Sequence, residues 1–317
     1  MAKSRYPADR GLSARMLMTV FFLGLLYAVF ITVLLEILHM GLAPVLVIAL
    51  VILFVQYFFS DRIALFSMGG RLVEREQAPQ LHAVIDRLVA LADMPKPKVA
   101  IAQSDIPNAF ATGRNQNSAV ICVTTGILRR LDEPELEAVL AHELSHVAHH
   151  DVAVMTIASF LGILAGLMTR MFAYAGLFGG FGGGNYGRGR GGGNNNAQAQ
   201  VAMFELAMVL ISAIVYAISF LLIRALSRYR ELAADRSGAM LIGQPALLMS
   251  ALQKVSGEIG RIPTRDLRAA QHFNAFYFAP AIAPGASLSS LFSTHPSLQK
   301  RLEQLARLDA EMRRGLA

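Results

Sequence analysis

The amino-acid sequence predicts a mainly α-helical protein with four transmembrane helices and a small antiparallel β-sheet in a folded domain outside the bilayer. Three observations carry that expectation. The chain is 54% hydrophobic and only 16% charged, with a mean hydropathy of +0.46, too apolar for an ordinary soluble domain. Its apolar residues gather into long runs that a bilayer-spanning helix requires. The polar remainder falls into two blocks, 61–150 and 224–317, that carry helix and strand patterns of their own. At 317 residues the chain is long enough for a sizeable core. Its single cysteine, Cys122, excludes an intrachain disulfide. The formal net charge of +7 fits, in a membrane protein, a cytoplasmic surface facing anionic lipid, and no nucleic-acid partner is expected.

The elements follow in order. Residues 1–60 form a polar arm and a first membrane hairpin. Lys3, Arg5, Arg10 and Arg15 precede an uncharged run from Met16 to Leu35, and the first span is placed at about 16–36. The run is too long for a signal peptide's apolar core, and no small-residue cleavage site follows it. The link Glu36–Gly41 has no Lys or Arg, and the second span covers 42–59, closed by Asp61 and Arg62. The basic flanks put the N-terminus and the stretch after Phe59 on the cytoplasmic side. In 61–150, Leu81, Val84, Ile85, Leu88 and Leu91 recur at helical spacing until Met94-Pro95-Lys96-Pro97 ends the helix. Strand signals at Val99–Ala102, Asn108–Gly113 and Ala119–Val123, the last two joined by a polar turn at Asn115-Gln116-Asn117, suggest the antiparallel sheet. Asp132 reads as a helix cap, with Pro134 in the first turn and acidic residues at the positive helix end. A second hairpin occupies 151–223: spans at about 152–177, with Arg170 snorkelling or near its outer end, and 201–223, joined by a Gly/Asn-rich loop at 179–200. Arg224, Arg228 and Arg230 mark the return to the cytoplasm. In 224–317, Leu241–Ile259 and Ser297–Met312 have helical periodicity, and the aromatic segment His272–Phe278 reads as core.

The helix opened by Asp132 contains His142-Glu143-Leu144-Ser145-His146. Histidines four apart lie one turn apart on one face, so both imidazoles reach a common point. A glutamate beside the first can reach a water held there. This is the pattern of a zinc peptidase, in which the metal acidifies water and the carboxylate takes its proton. Such a site needs a third protein ligand. Asp151 is expected on another face, turned toward the bilayer, if the metal helix runs on into the third span. His149 and His150 read as solvated or headgroup-facing residues. After the fourth span, Glu231 and Asp235 are four apart. Glu231 can ligate, and Asp235 can hold a ligand imidazole through its other nitrogen. Spacing alone leaves a charged interfacial helix as an equal reading.

His142-Glu143-Leu144-Ser145-His146 together with Glu231-Leu232-Ala233-Ala234-Asp235 resembles the protease HtpX family of membrane zinc metallopeptidases, gluzincin-type relatives of the CAAX prenyl proteases. The resemblance extends to Pro107–Gly113, to Glu133 and Leu136, and to Ser293-Thr294-His295-Pro296. It implies a zincin-like cytoplasmic metallopeptidase domain with one zinc ion per chain. It also implies cleavage of misfolded or damaged membrane proteins in protein quality control and the stress response, in a bacterial inner membrane with both termini cytoplasmic. Carried residue by residue, it implies zinc ligands at His142, His146 and Glu231, and a general base at Glu143. Asp235 becomes the second carboxylate, orienting a histidine or donating a proton. Asn108, Ala109 and Phe110 lie where a substrate strand would pair along a sheet edge. His295 contacts substrate or stabilises the oxyanion, though His295-Pro296 reads equally as a helix start before 297–312. In the mechanism read from the motif, the donor to the oxyanion beside the metal is His295 or Arg236. Competing readings are a prenyl-protein peptidase, a metal transporter and an idle membrane scaffold. A transporter would hold its ligands near the bilayer midplane, whereas these flank the second hairpin.

Overall fold

In a computed structural model of the protein, the described residues are 10–38, 42–151, 154, 195–259, 278 and 295–315. The first two apolar runs form α1 (Arg10–Leu38) and α2 (Leu42–Ser67). Leu23, Tyr27 and Phe30 of α1 are buried, and the Tyr27 hydroxyl lies 2.9 Å from Ser219 Oγ on a distant helix. The opposite face of α1 leaves Leu17 72% and Phe21 63% exposed. Large apolar side chains in such numbers are stable only against lipid or another apolar surface.

Strand β1 (Gly70–Leu72) follows α2, and α3 (Pro79–Ala92) follows it. Helix α3 buries Leu81, Val84, Ile85, Leu88 and Val89. Leu91, expected in the same stripe, is 43% exposed, because it lies just beyond the edge of a stripe that Ala92 completes. Asp93, at φ 53°, ends the helix. Three further strands, β2 (Lys98–Ala102), β3 (Ala109–Thr112) and β4 (Val120–Thr124), complete a sheet of order β1-β2-β4-β3.

The sheet is mixed, which corrects the antiparallel expectation. Strand β4 inserts between β2 and β3, pairing parallel with β2 and antiparallel with β3. Pattern alone reports strand existence but not which strands are neighbours. A consequence for function is that, among the described residues, β3 is an edge. The face of the sheet bearing Ala100, Phe110 and Cys122 is covered by Ala64 and Leu65 of α2. Its other face packs on the main core, which includes Ile85, Ile121, Val139, Leu140, Leu144, Leu252 and Leu305.

Helix α4 (Thr125–Arg130) leads to α5 (Glu133–Ala148). Asp132 caps α5 as expected: its side chain accepts from Glu135 N–H, and Glu135 accepts from Asp132 N–H. Glu135 is buried and also accepts from Ser250 Oγ and Lys254 Nζ, each at 2.6 Å. Those two residues lie on α7 (Pro245–Ile259). Between α5 and α7 in sequence runs α6 (Asn195–Ile242), 48 residues long, or about 72 Å at 1.5 Å per residue. It takes in the last six residues of the expected Gly/Asn-rich loop, the fourth apolar run and both acidic residues of the second motif. Gly243, at φ 70°, separates α6 from α7 and splits the helix expected over 241–259. The last helix, α8 (Leu298–Arg313), starts at a Ser297 cap.

Among the described residues, two segments are long and apolar enough to cross a membrane, Arg10–Phe30 and Val209–Ile242. Apart from residue 154, the third expected span, at 152–177, lies outside the described residues, as do residues 179–194 of the loop.

Candidate metal centre

Twelve of the sixteen residues of α5 are buried, so its histidines stand inside the fold rather than on a wet face. Helix α6 crosses α5 closely because Gly238 has no side chain. A Cβ there would fall 2.7 Å from the backbone nitrogen of His142 and 2.9 Å from its Cα. That approach brings residues 231–235 against the His-Glu-x-x-His turn.

His142, His146 and Glu231 converge, with one candidate ligand atom from each lying within 4.8 Å of the others. His142 Nε2 is 3.7 Å from Glu231 Oε2, and His146 Nε2 is 3.5 Å from Glu231 Oε1. A tetrahedral ion with bonds of roughly 2.1 Å would separate its ligand atoms by about 3.4 Å. His142 Nε2 is buried with no hydrogen-bond partner, as expected of a nitrogen whose lone pair is kept for a metal. The residues therefore fit a zinc ion in both donor chemistry and spacing.

The other ring nitrogen of each histidine faces a carboxylate. His142 Nδ1 is 2.9 Å from Asp235 Oδ1, and His146 Nδ1 donates to Asp151 Oδ2 at 2.7 Å. Asp235 is held in turn by the buried Arg301, through Nε to Oδ2 at 2.7 Å and Nη2 to Oδ1 at 2.6 Å. Arg301 Nη1 also donates to the Phe278 carbonyl at 2.7 Å. The Phe278 ring packs edge-on against His142, with centroids 5.2 Å apart, which supports the core reading for that residue of the aromatic segment. His295 is buried, with Nδ1 3.0 Å from Glu231 Oε2.

The electrostatics follow from this packing. Burial raises the Glu143 carboxyl to about 7; the Glu231 charge adds to that effect, and His146 and the Ala111 N–H offset it in part. Burial would also raise Glu231, but His295, His146 and His142 hold it well below its ordinary value. Burial opposes ionisation of Asp235, and Arg301 with His142 more than compensates, leaving it lowered. One carboxyl is thus poised near neutrality beside two that stay ionised.

Glu143 Oε2 accepts from the Ala111 N–H at 2.9 Å, so the edge of β3 runs past the general-base candidate. Of the three edge-strand residues expected near substrate, Ala109 and Phe110 lie on β3 and are buried. Asn108, also buried, accepts from the Phe278 N–H at 2.8 Å through Oδ1.

Two expectations change. Asp151 does not turn away toward the bilayer: α5 ends at Ala148, His150 takes φ 57°, and Asp151 is buried against His146. A helix running unbroken into the third span would have carried it away. Arg236 is also not at the centre. It is largely exposed and pairs with Glu311 at 3.6 Å, because one step along α6 from Asp235 points it outward. Arg301 was not singled out from sequence. Its only signal was a lone arginine among apolar positions of α8, six residues after His295.

Comparison with known proteins agrees with this geometry. The model of Peptidase family M48 matches residues 75–309. Protease HtpX homolog 1 of Streptomyces coelicolor is 56% identical over 311 residues, covering 98% of this chain and 97% of that protein. The Protease HtpX homolog of Moorella thermoacetica is 50% identical over 305 residues, covering 96% and 97%. The crystal structure of S. mikatae Ste24p shares the fold at a TM-score of 0.53 and 19% identity, over 94% of this chain and 67% of that one. Family match, near-full-length relatives and a buried His-His-Glu centre agree: the chain belongs to peptidase family M48, among the HtpX-type membrane metalloproteases.

Proposed function

We propose that this membrane protease is a zinc-dependent endopeptidase whose catalytic residues are His142, His146, Glu231 and Glu143, and whose site opens at the cytoplasmic face of a bacterial inner membrane. The observation that carries the reading is the convergence of the three ligand candidates, with Glu143 buried beside them and raised to about 7. His142 and His146 would hold the ion through Nε2, and Glu231 through its carboxylate. A bound zinc ion supplies a Lewis acid that brings the pKa of water near neutrality.

The chain's own residues do the rest. Glu143 takes the proton of the attacking water at its carboxylate and returns it to the leaving amine nitrogen. An extended substrate strand would pair along the edge of β3, and Asn108, Ala109 and Phe110 are read as lining its path. Asp235 fixes the His142 ring. His295 stands beside Glu231, where its imidazole can support the developing negative charge. The transporter reading is disfavoured because Arg224 and Arg228 stand between the apolar run ending at Ile223 and the ligand Glu231.

The apolar runs give four spans at about 16–36, 42–59, 152–177 and 201–223, and the basic flanks put both termini on the cytoplasmic side. That placement suits misfolded or damaged membrane proteins as substrates, delivered along the bilayer surface. The test is zinc content and cleavage of casein and an unfolded membrane protein by wild type and Glu143→Gln in nanodiscs. Expected is one zinc per chain in both, with turnover only in wild type. Wild-type turnover by Glu143→Gln would sink the general-base assignment. A farnesylated peptide cleaved in preference to these substrates would favour a prenyl-protein peptidase.

A further inference from the structure

We propose that Asp151, paired with Arg230, is a positioning residue for His146, and that the left-handed turn at His150 exists to deliver it. The proposal rests on the zinc reading above and adds a part that the two sequence motifs do not contain.

Asp151 is 1% exposed. Its Oδ2 accepts from His146 Nδ1 at 2.7 Å and lies 3.0 Å from Arg230 Nε, an ion-pair contact with both partners buried. A carboxylate on Nδ1 keeps the proton there, which leaves the Nε2 lone pair directed at Glu231 and the metal position. It also locks ring rotation and raises the basicity of the ligand nitrogen. A buried carboxylate needs a compensating charge, and Arg230 provides it from the position immediately before Glu231. One turn of α6 therefore brings both the third ligand and the cation that stabilises the residue behind the second ligand. Asp235 and Arg301 form the matching arrangement behind His142. Each ligand histidine is thus backed by an arginine-neutralised aspartate, and each arrangement joins α5 to the C-terminal half of the chain or lies between the two halves.

The backbone supports the assignment. Asp151 is five residues after His146, too far along a straight helix to reach its imidazole. The chain makes the contact by ending α5 and placing His150 at φ 57°, a conformation that non-glycine residues adopt at a cost. His150 itself is exposed, so this strain serves the residue that follows rather than its own side chain. The turn is therefore testable separately from the carboxylate.

The experiment is zinc affinity of the full-length chain in detergent, measured by competition with a chromophoric chelator, with thermal unfolding of each metal-free variant alongside. Asp151→Ala should weaken zinc about 10–100-fold. Asp151→Asn, which keeps an acceptor but loses the charge, should lose less. Arg230→Met should weaken zinc in wild type and have a smaller effect in the Asp151→Asn background. His150→Gly should bind as wild type, whereas His150→Val, which resists positive φ, should approach Asp151→Ala. Where Asp151→Ala does not fold, Asp151→Asn and the two His150 variants decide. Unchanged affinity in Asp151→Asn and His150→Val overturns the proposal, as does a lowered melting temperature with no change in zinc affinity, which would mean a merely structural contact. Wild type that takes up no zinc would sink the metal reading itself, and this proposal with it.

Discussion

At the scale of single residues, the centre is built from ionisable groups that would be unstable apart. Glu143 shows this most directly. Its folded-state pKa is raised from 4.5 to about 7, so between those values the folded protein binds a proton that the unfolded chain does not. Stability contributed by the protonated form is full below 4.5 and lost as pH rises through 7. In metal-free protein the ionised carboxylate should therefore cost about 3 kcal/mol at pH 8. Glu143→Gln, which still accepts from Ala111 N–H, should raise the metal-free melting temperature at pH 8 and leave it nearly unchanged at pH 4.5. Equal stabilisation at both pH values would refute the buried-carboxylate account. Arg301 is the converse case. It is 1% exposed and satisfies Asp235 and the Phe278 carbonyl together. Arg301→Leu strands both and should destabilise by about 3–5 kcal/mol, with loss of zinc. Replacing Asp235 by Leu as well should recover part of the stability but none of the zinc binding. A single variant that unfolds at the wild-type temperature would remove Arg301 from the architecture of the site.

At the scale of elements, the site is a crossing of α5 and α6, and the distance between them is set by Gly238. Its absent Cβ leaves room for backbone rather than for a flexible side chain, so α6 cannot accommodate a methyl group without moving away from His142. Gly238→Ala should cost roughly 1–3 kcal/mol and lower both zinc occupancy and turnover, because Glu231 and Asp235 ride on the displaced helix. Native zinc content in Gly238→Ala would show that the crossing tolerates expansion. The Asp132 cap, the Glu143 helix and the strands were all readable from local chemistry, because caps, turns and apolar periods are written in neighbouring residues. Gly238 was not, since a glycine inside a helix signals nothing until the partner helix is known. The end of α5 was misread for a similar reason. No proline or glycine stands at 149–151, and the turn at His150 is paid for by the Asp151 contact it allows.

At the scale of the whole molecule, the candidate ligands come from two blocks separated by a segment of more than eighty residues between His146 and Glu231, which carries the proposed second membrane hairpin. In the proposed topology this arrangement holds the centre close to the bilayer, so topology is a functional prediction. With the buried Cys122 as the only native thiol, Ala306→Cys on the exposed side of α8 should react with a membrane-impermeant maleimide only after the inner membrane is permeabilised. Labelling of intact spheroplasts from outside would place the domain on the wrong side. The mainly helical class, the apolar runs, the metal motif and the Glu231–Asp235 pair that completes the candidate site were legible in the chain, because each is a periodic or local pattern and because the motif pair resembles a known family. The strand order that makes β3 an edge, the depth at which Glu143 is buried, and the contacts of Arg301, Arg230 and Asp151 came from the folded chain alone. Those depend on which distant segments meet, and a buried charge acquires its function from the partner that neutralises it, not from its place in the chain.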